Sequence, residues 1–161
     1  MCAANASGRP IVFALSNPKT QAEVTAADAY KWSGGKVLYG SGTAFPPSTL
    51  DGKTRAPGQV NNFFIFPGMS FGAVCCDASS IPESLFMAAA VAVAQSLDAS
   101  EVAAERVVPH PDRIRDVSLE VAVATVLEAQ RQGLANKPLG EGPGVVREAL
   151  RKLMWAPAPA A

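Results

Sequence analysis

Charge is scarce in this sequence, and neither sign prevails. Of 161 residues, 17% are charged, 14 basic and 14 acidic, below the roughly 25% of typical soluble domains. A net charge of zero argues against the basic footprint of a nucleic-acid binder and against an acidic solvating tail. Cysteine is sparse as well. Three cysteines, an odd number, make no disulfide framework and fit a reducing compartment. Long apolar runs are missing: the longest covers the ten residues 85–94, whereas a membrane-spanning helix takes about 20. The opening Met1-Cys2-Ala3-Ala4-Asn5 has no basic region leading into an apolar stretch, so no secretory signal is visible. No G-x-G-x-x-G follows a strand, no Walker loop exists, and no adjacent acidic pair resembles a metal cluster. The expectation is a soluble intracellular protein, or a piece of one, with no nucleic-acid or membrane partner.

What is present begins with a short flexible lead over residues 1–8. Ile11-Val12-Phe13-Ala14-Leu15 is an unbroken apolar run, which fits a strand buried on both faces. Ser16-Asn17-Pro18 stops it. Thr25-Ala26-Ala27-Asp28 reads as a capping box for a helix reaching about Trp32, closed by Gly34-Gly35. Lys36-Val37-Leu38-Tyr39-Gly40 reads as a second strand. Strand, helix, strand in about 30 residues is a βαβ unit with parallel strands. Residues 41–58 read as a long loop punctuated by glycine and proline, with a tight turn at Asp51-Gly52. A long structureless loop in a compact domain is often functional. A short helix opens near residues 60–62 and is broken by Pro67-Gly68. Another, capped by Ser80 with Pro82 in its first turn, runs to about Leu97. A third starts near Asp112 and ends near Gln132 with Gly133 beyond it. A last one occupies residues 144–155. Residues 156–161 read as a tail.

Two features point to an incomplete molecule. Two strands are too few for a stable parallel sheet and leave edges unpaired. The third helix carries Ile114, Val117, Val121 and Ala124 on one side and Leu119, Val123, Val126 and Leu127 on others. A helix apolar nearly all round is normally buried in something larger. The competing reading is a small helical domain that buries these faces internally.

Several residues invite a chemical role. Asn17 lies just past the carboxyl end of the first strand, where open α/β sheets bind ligands. Its amide can donate to a carboxylate and accept from a hydroxyl; the alternative is a simple turn residue. Asn61 and Asn62 open a helix, where a polar pair and free N–H groups suit an anion; the alternative is N-capping, which takes only one asparagine. Ser41-Gly42 ends the second strand, and a small residue there lets a ligand approach the backbone; a turn is the alternative. Cys75-Cys76 has no metal-site spacing and reads as buried thiols. His110, between two prolines, has no nucleophile motif nearby.

These residues sit within motifs that resemble one family. Arg9-Pro10-Ile11-Val12-Phe13-Ala14-Leu15-Ser16-Asn17-Pro18, then Ala22-Glu23 and Thr25-Ala26 with Ala29-Tyr30, look like the malic enzymes. So do Pro57-Gly58-Gln59-Val60-Asn61-Asn62 with Ile65-Phe66-Pro67-Gly68, Ile114-Arg115-Asp116-Val117-Ser118, and Met154-Trp155-Ala156-Pro157. The likeness runs over residues 9–157, in order. It covers the family's C-terminal part, so residues 9–155 are expected to form the later half of an NAD(P)-binding domain with terminal helices. The fold class is then α/β: a partial Rossmann-like parallel sheet followed by C-terminal helices.

The resemblance implies oxidative decarboxylation of malate to pyruvate and carbon dioxide, with NAD or NADP as cofactor. It also implies Mg2+ or Mn2+ as a Lewis acid, and a homo-oligomer when complete. It carries over substrate binding to Asn17, Asn61 and Asn62, and cofactor binding to Asn17, Ser41 and Gly42. The family's acid, base, metal ligands and glycine fingerprint have no counterparts here. No catalytic or metal-ligating residue is therefore expected in this chain, and it is expected to be inactive without an N-terminal part. Lys19, where the family usually has threonine, and Gly40 and Ala44 are small departures. The competing reading is a separate, non-catalytic chain acting as an interaction module or split-enzyme subunit.

Overall fold

The computed structural model describes residues 2–156. In chain order it contains β1 (Ile11–Ala14), α1 (Ala26–Trp32), β2 (Leu38–Ser41), β3 (Ser48–Leu50), β4 (Lys53–Arg55) and β5 (Gly58–Gln59). Helices follow: α2 (Phe66–Cys75), α3 (Glu83–Gln95), α4 (Ala99–Ala103), α5 (Ile114–Arg131) and α6 (Pro143–Leu153). The chain forms two compact units. One comprises residues 2–62 with Ala94–Ile114, the other Phe63–Val93 with residues 115–156. No helix among the described residues is long and apolar enough to cross a membrane.

The first unit is a parallel βαβ with a third strand added. The sheet order is β1-β2-β5, all parallel. Thr25 caps α1, its Oγ1 accepting from the Asp28 N–H at 3.1 Å. Asp28 Oδ2 in turn accepts from the Thr25 hydroxyl at 2.7 Å, so the reciprocal bond of the expected capping box uses the hydroxyl rather than the backbone. Gly34 and Gly35, at φ 58° and 70°, turn the chain into β2. Ala26, Ala29 and Tyr30 of α1 pack with Ala14, Val37 and Tyr39 to form the core. Tyr39 is buried and donates its hydroxyl to Val24 O at 2.6 Å. Its ring meets Tyr30 and Phe45 edge-on at 6.1 and 6.2 Å.

Three expectations for this unit are corrected. The stretch 41–58 is not structureless. Asp51 and Gly52, at φ 51° and 74°, close a β3–β4 hairpin, as two successive left-handed residues do in a two-residue turn. Gly58-Gln59 extends the sheet to three strands. Finally, β1 is not buried on both faces. Ala14 is buried, but Ile11, Phe13 and Leu15 are about half exposed or more. These three alternate with the buried positions, so they share the other face.

In the second unit α5 is the hub. Val117, Ser118, Leu119, Val121, Ala122, Val123, Thr125, Val126 and Ala129 are all buried. The helix is thus covered on most of its sides. Gly133, at φ 69°, ends it, with the Leu134 N–H donating to Ala129 O and the Gly133 N–H to Gln130 O. Pro67-Gly68 does not break a helix. It opens α2, because proline in the first turn gives up an N–H that has no intrahelical acceptor. Gly68 and Gly72 bring α2 onto α5: a methyl on Gly68 would lie 2.3 Å from Ser118 O, and one on Gly72 2.7 Å from Ala122 O.

Candidate functional site

The parallel register fixes where the candidate residues stand. Ala14 pairs with Ser41 and Ser41 with Gln59, so β1, β2 and β5 end side by side. Beyond those ends come Asn17, the Ser41-Gly42-Thr43 turn, and Asn61-Asn62. The three loops are stitched together by backbone. The Gly42 N–H donates to Ala14 O at 2.9 Å, and the Val60 N–H to Ser41 O at 2.8 Å.

Each loop has its own anchor. After β1, the Ser16 hydroxyl and N–H donate to the Glu23 carboxylate at 2.5 and 3.3 Å. The hydroxyl bond is the main reason that the Glu23 carboxyl lies below its ordinary range. The Asn17-Pro18 peptide is cis, and Asn17 is exposed. After β2, the buried Ser41 hydroxyl donates to Thr43 O at 2.8 Å. Thr43 Oγ1 is buried and meets no hydrogen-bond partner among the described residues. A methyl on Gly42 would lie 2.3 Å from Leu15 O and 3.1 Å from Asn17 Nδ2. The space at Gly42 is thus taken by the β1 loop, and the Asn17 amide rests against this glycine. After β5, Asn61 is half-buried, while exposed Asn62 opens a 3-10 turn over Asn62–Phe64.

Other singled-out residues have structural roles. Burial raises the thiols of Cys75 and Cys76, and Cys76 Sγ donates to Ala73 O at 3.6 Å. His110 Nδ1 accepts from the Asp112 N–H at 3.3 Å, capping a 3-10 turn over Pro111–Arg113. Among the described residues no three histidines, cysteines or acids could together hold a metal ion.

Sequence reasoning missed two ionic clusters in this unit. Glu105, at φ 59° and buried, receives Lys53 at 2.6 Å, Arg9 at 2.7 Å and Arg55 at 2.9 Å. Burial alone would raise its carboxyl; the Lys53 hydrogen bond and the three cationic charges outweigh that and lower it. The neighbouring Tyr30 hydroxyl is pushed up to about 12, by burial first and by the Glu105 charge second. The second cluster centres on Glu101, which accepts from the Asp98 and His110 N–H groups and from Arg113. Its signal was legible, because Asp98-Ala99-Ser100-Glu101 has capping-box spacing and does cap α4. Glu105 had no such signal, because its partners lie 50, 52 and 96 residues away in sequence.

Comparison with known proteins follows the same outline. A family model described as the NAD binding domain of malic enzyme matches residues 1–130. The NADP-dependent malic enzyme of Dictyostelium discoideum is 41% identical over 130 residues, covering 81% of this chain and 24% of that protein. The mitochondrial NAD-dependent malic enzyme of Ascaris suum is 41% identical over 128 residues, covering 80% and 20%. A crystal structure of malic enzyme from Pyrococcus horikoshii superposes with a TM-score of 0.66 at 26% identity, over 89% of this chain and 29% of that one. The chain thus spans about a quarter of the length of these relatives.

Proposed function

Because this chain belongs to the malic enzyme family, we propose that it supplies part of the nucleotide-binding domain of an enzyme that oxidatively decarboxylates malate. The products are pyruvate, carbon dioxide and reduced NAD or NADP. The observation that carries this reading is the alignment of the three strand ends, which gathers Asn17, Ser41-Gly42 and Asn61-Asn62 on one carboxyl edge. Ligands of open α/β sheets bind outside that edge.

In this reading Asn17, Asn61 and Asn62 hold malate. A carboxamide donates N–H to a carboxylate and accepts from the C2 hydroxyl through its oxygen, so the asparagines orient the C2 hydrogen. Orientation of this kind supplies several kcal/mol of a barrier. Asn17, Ser41 and Gly42 face the cofactor side. The edge fits a polar group there: Thr43 Oγ1 is a buried hydroxyl with no partner among the described residues, and such groups are rarely left unsatisfied. Held by Asn17, Ser41 and Gly42, NAD or NADP would supply the hydride acceptor. Among the described residues no donor set fits Mg2+ or Mn2+, so in this reading other residues of the whole enzyme would hold the ion.

The test is Asn17→Ala in the full-length enzyme. kcat/KM for malate should fall about tenfold or more, as loss of a hydrogen bond to a charged group predicts, with the melting temperature unchanged. Kinetics within about twofold of wild type would remove Asn17 from the site.

A second reading, a docking subunit without catalysis of its own, draws on the half-bare β1 face of Ile11, Phe13 and Leu15. Complementation separates the two: activity restored on mixing this chain with the remaining N-terminal part favours a catalytic half. A stable complex that stays inactive favours a docking subunit.

A further inference from the structure

Next to the sheet edge lies a cavity of about 160 Å³. Phe45, Pro47, Pro57, Gln59, Arg106 and His110 line it. The proline walls are stiff, since the ring fixes the backbone φ, so the cavity is preformed. Its polar side chains include a free guanidinium end. Arg106 spends only its Nε, on Val108 O at 3.3 Å. Its terminal nitrogens meet no acceptor among the described residues, whereas Arg9, Arg55, Arg113, Arg131, Arg147 and Arg151 each face a carboxylate. His110 Nδ1 meets the Asp112 N–H at 3.3 Å and lies 3.4 Å from the Asp112 carboxylate. Gln59 adds a carboxamide. The Lys19 ammonium lies 4.8 Å from the Phe45 ring centroid. Among the described residues no acidic side chain lines the cavity.

We propose that this pocket binds a small oxyanion, a carboxylate or a phosphate group, with Arg106 as its principal ligand. The planar guanidinium matches either anion with two parallel hydrogen bonds. The volume sets the size. It is below the roughly 300–1,000 Å³ of sites for larger ligands, so it admits an ion such as phosphate or acetate and excludes a dinucleotide. The pocket does not depend on the malate reading of the asparagines, and it places a second anion beside that edge.

Inorganic phosphate and acetate are titrated separately into this chain at constant ionic strength set with sodium chloride. Melting temperature and the NMR shifts of the Arg106 and His110 side-chain N–H groups are followed. A saturable response to either anion, weakened about tenfold or more by Arg106→Ala, supports the site, and the preferred anion names its class. Arg106→Lys keeps the charge without the planar fork, so it should weaken binding several-fold and covers the case in which the alanine variant does not fold. A response that chloride reproduces, or one that both variants retain in full, overturns the proposal.

Discussion

At the scale of single residues, Glu105 has the clearest energetic consequences. Its carboxylate faces Arg9, Lys53 and Arg55 together. Arg9 and Lys53 are about half exposed and count for little; Arg55, about one-tenth exposed, matters most. Glu105→Gln leaves a buried guanidinium without its counter-charge and should cost about 3 kcal/mol in urea unfolding. The pH dependence has a definite sign. The folded-state carboxyl is depressed, so its contribution is complete above the ordinary glutamate pKa of about 4.3 and is lost as the pH falls through the lower folded value. Wild-type stability should drop in that acid range, and Glu105→Gln should flatten the drop. Gly42 makes a different case. The Leu15 carbonyl takes the space of any side chain, so Gly42→Ala should move the β1 loop and Asn17 with it. Malate KM in the full-length enzyme should then rise at least as much as for Asn17→Ala.

Among the elements, α2 and α5 set helix propensity against packing. Exposed in a helix interior, glycine-to-alanine would gain about 1 kcal/mol. At Gly72 the added methyl meets the Ala122 carbonyl at 2.7 Å. Backbone that cannot give way reverses the sign, so Gly72→Ala should destabilise the second unit, by about 1–3 kcal/mol as overpacking does. Thermal melting checks it, and an unchanged or higher melting temperature would show that α2 can shift away. The same close approach covers one side of α5, a helix apolar nearly all round. Glycines at positions 68 and 72 let a neighbouring backbone reach it where a larger residue would hold α2 off.

For the whole molecule, β1 is the exposed flank. It is the sheet's edge, with Ile11, Phe13 and Leu15 about half exposed on one face. An unpaired apolar edge invites association. The isolated chain should therefore self-associate with rising concentration in sedimentation velocity. Ile11→Thr with Phe13→Thr should suppress this, leaving α1 and the Tyr39 core in place. The purified chain should form no NADH or NADPH from malate above a boiled control. It carries the asparagine edge but no glycine fingerprint after a strand and, among the described residues, no metal-donor group.

Local physics determined much of this protein from sequence alone. The βαβ unit, the Thr25 cap, the Gly34-Gly35 and Gly133 stops and the α5 span follow from short-range periodicity and capping, and the family follows from ordered motifs. Asn17, Ser41-Gly42 and Asn61-Asn62 were each legible as residues following strand or helix boundaries. Parallel strands already put Asn17 and Ser41-Gly42 on one edge; what the sequence could not convey was that Asn61-Asn62 join it, because that depends on β5, a two-residue strand with no periodicity of its own. Only pairing with Gly40 and Ser41 of β2 made it a strand. The hairpin within 41–58, the incomplete burial of β1, the Glu105 cluster and the Arg106 pocket were likewise decided by tertiary structure. Each depends on contacts between residues far apart in the chain, and no local propensity encodes such contacts.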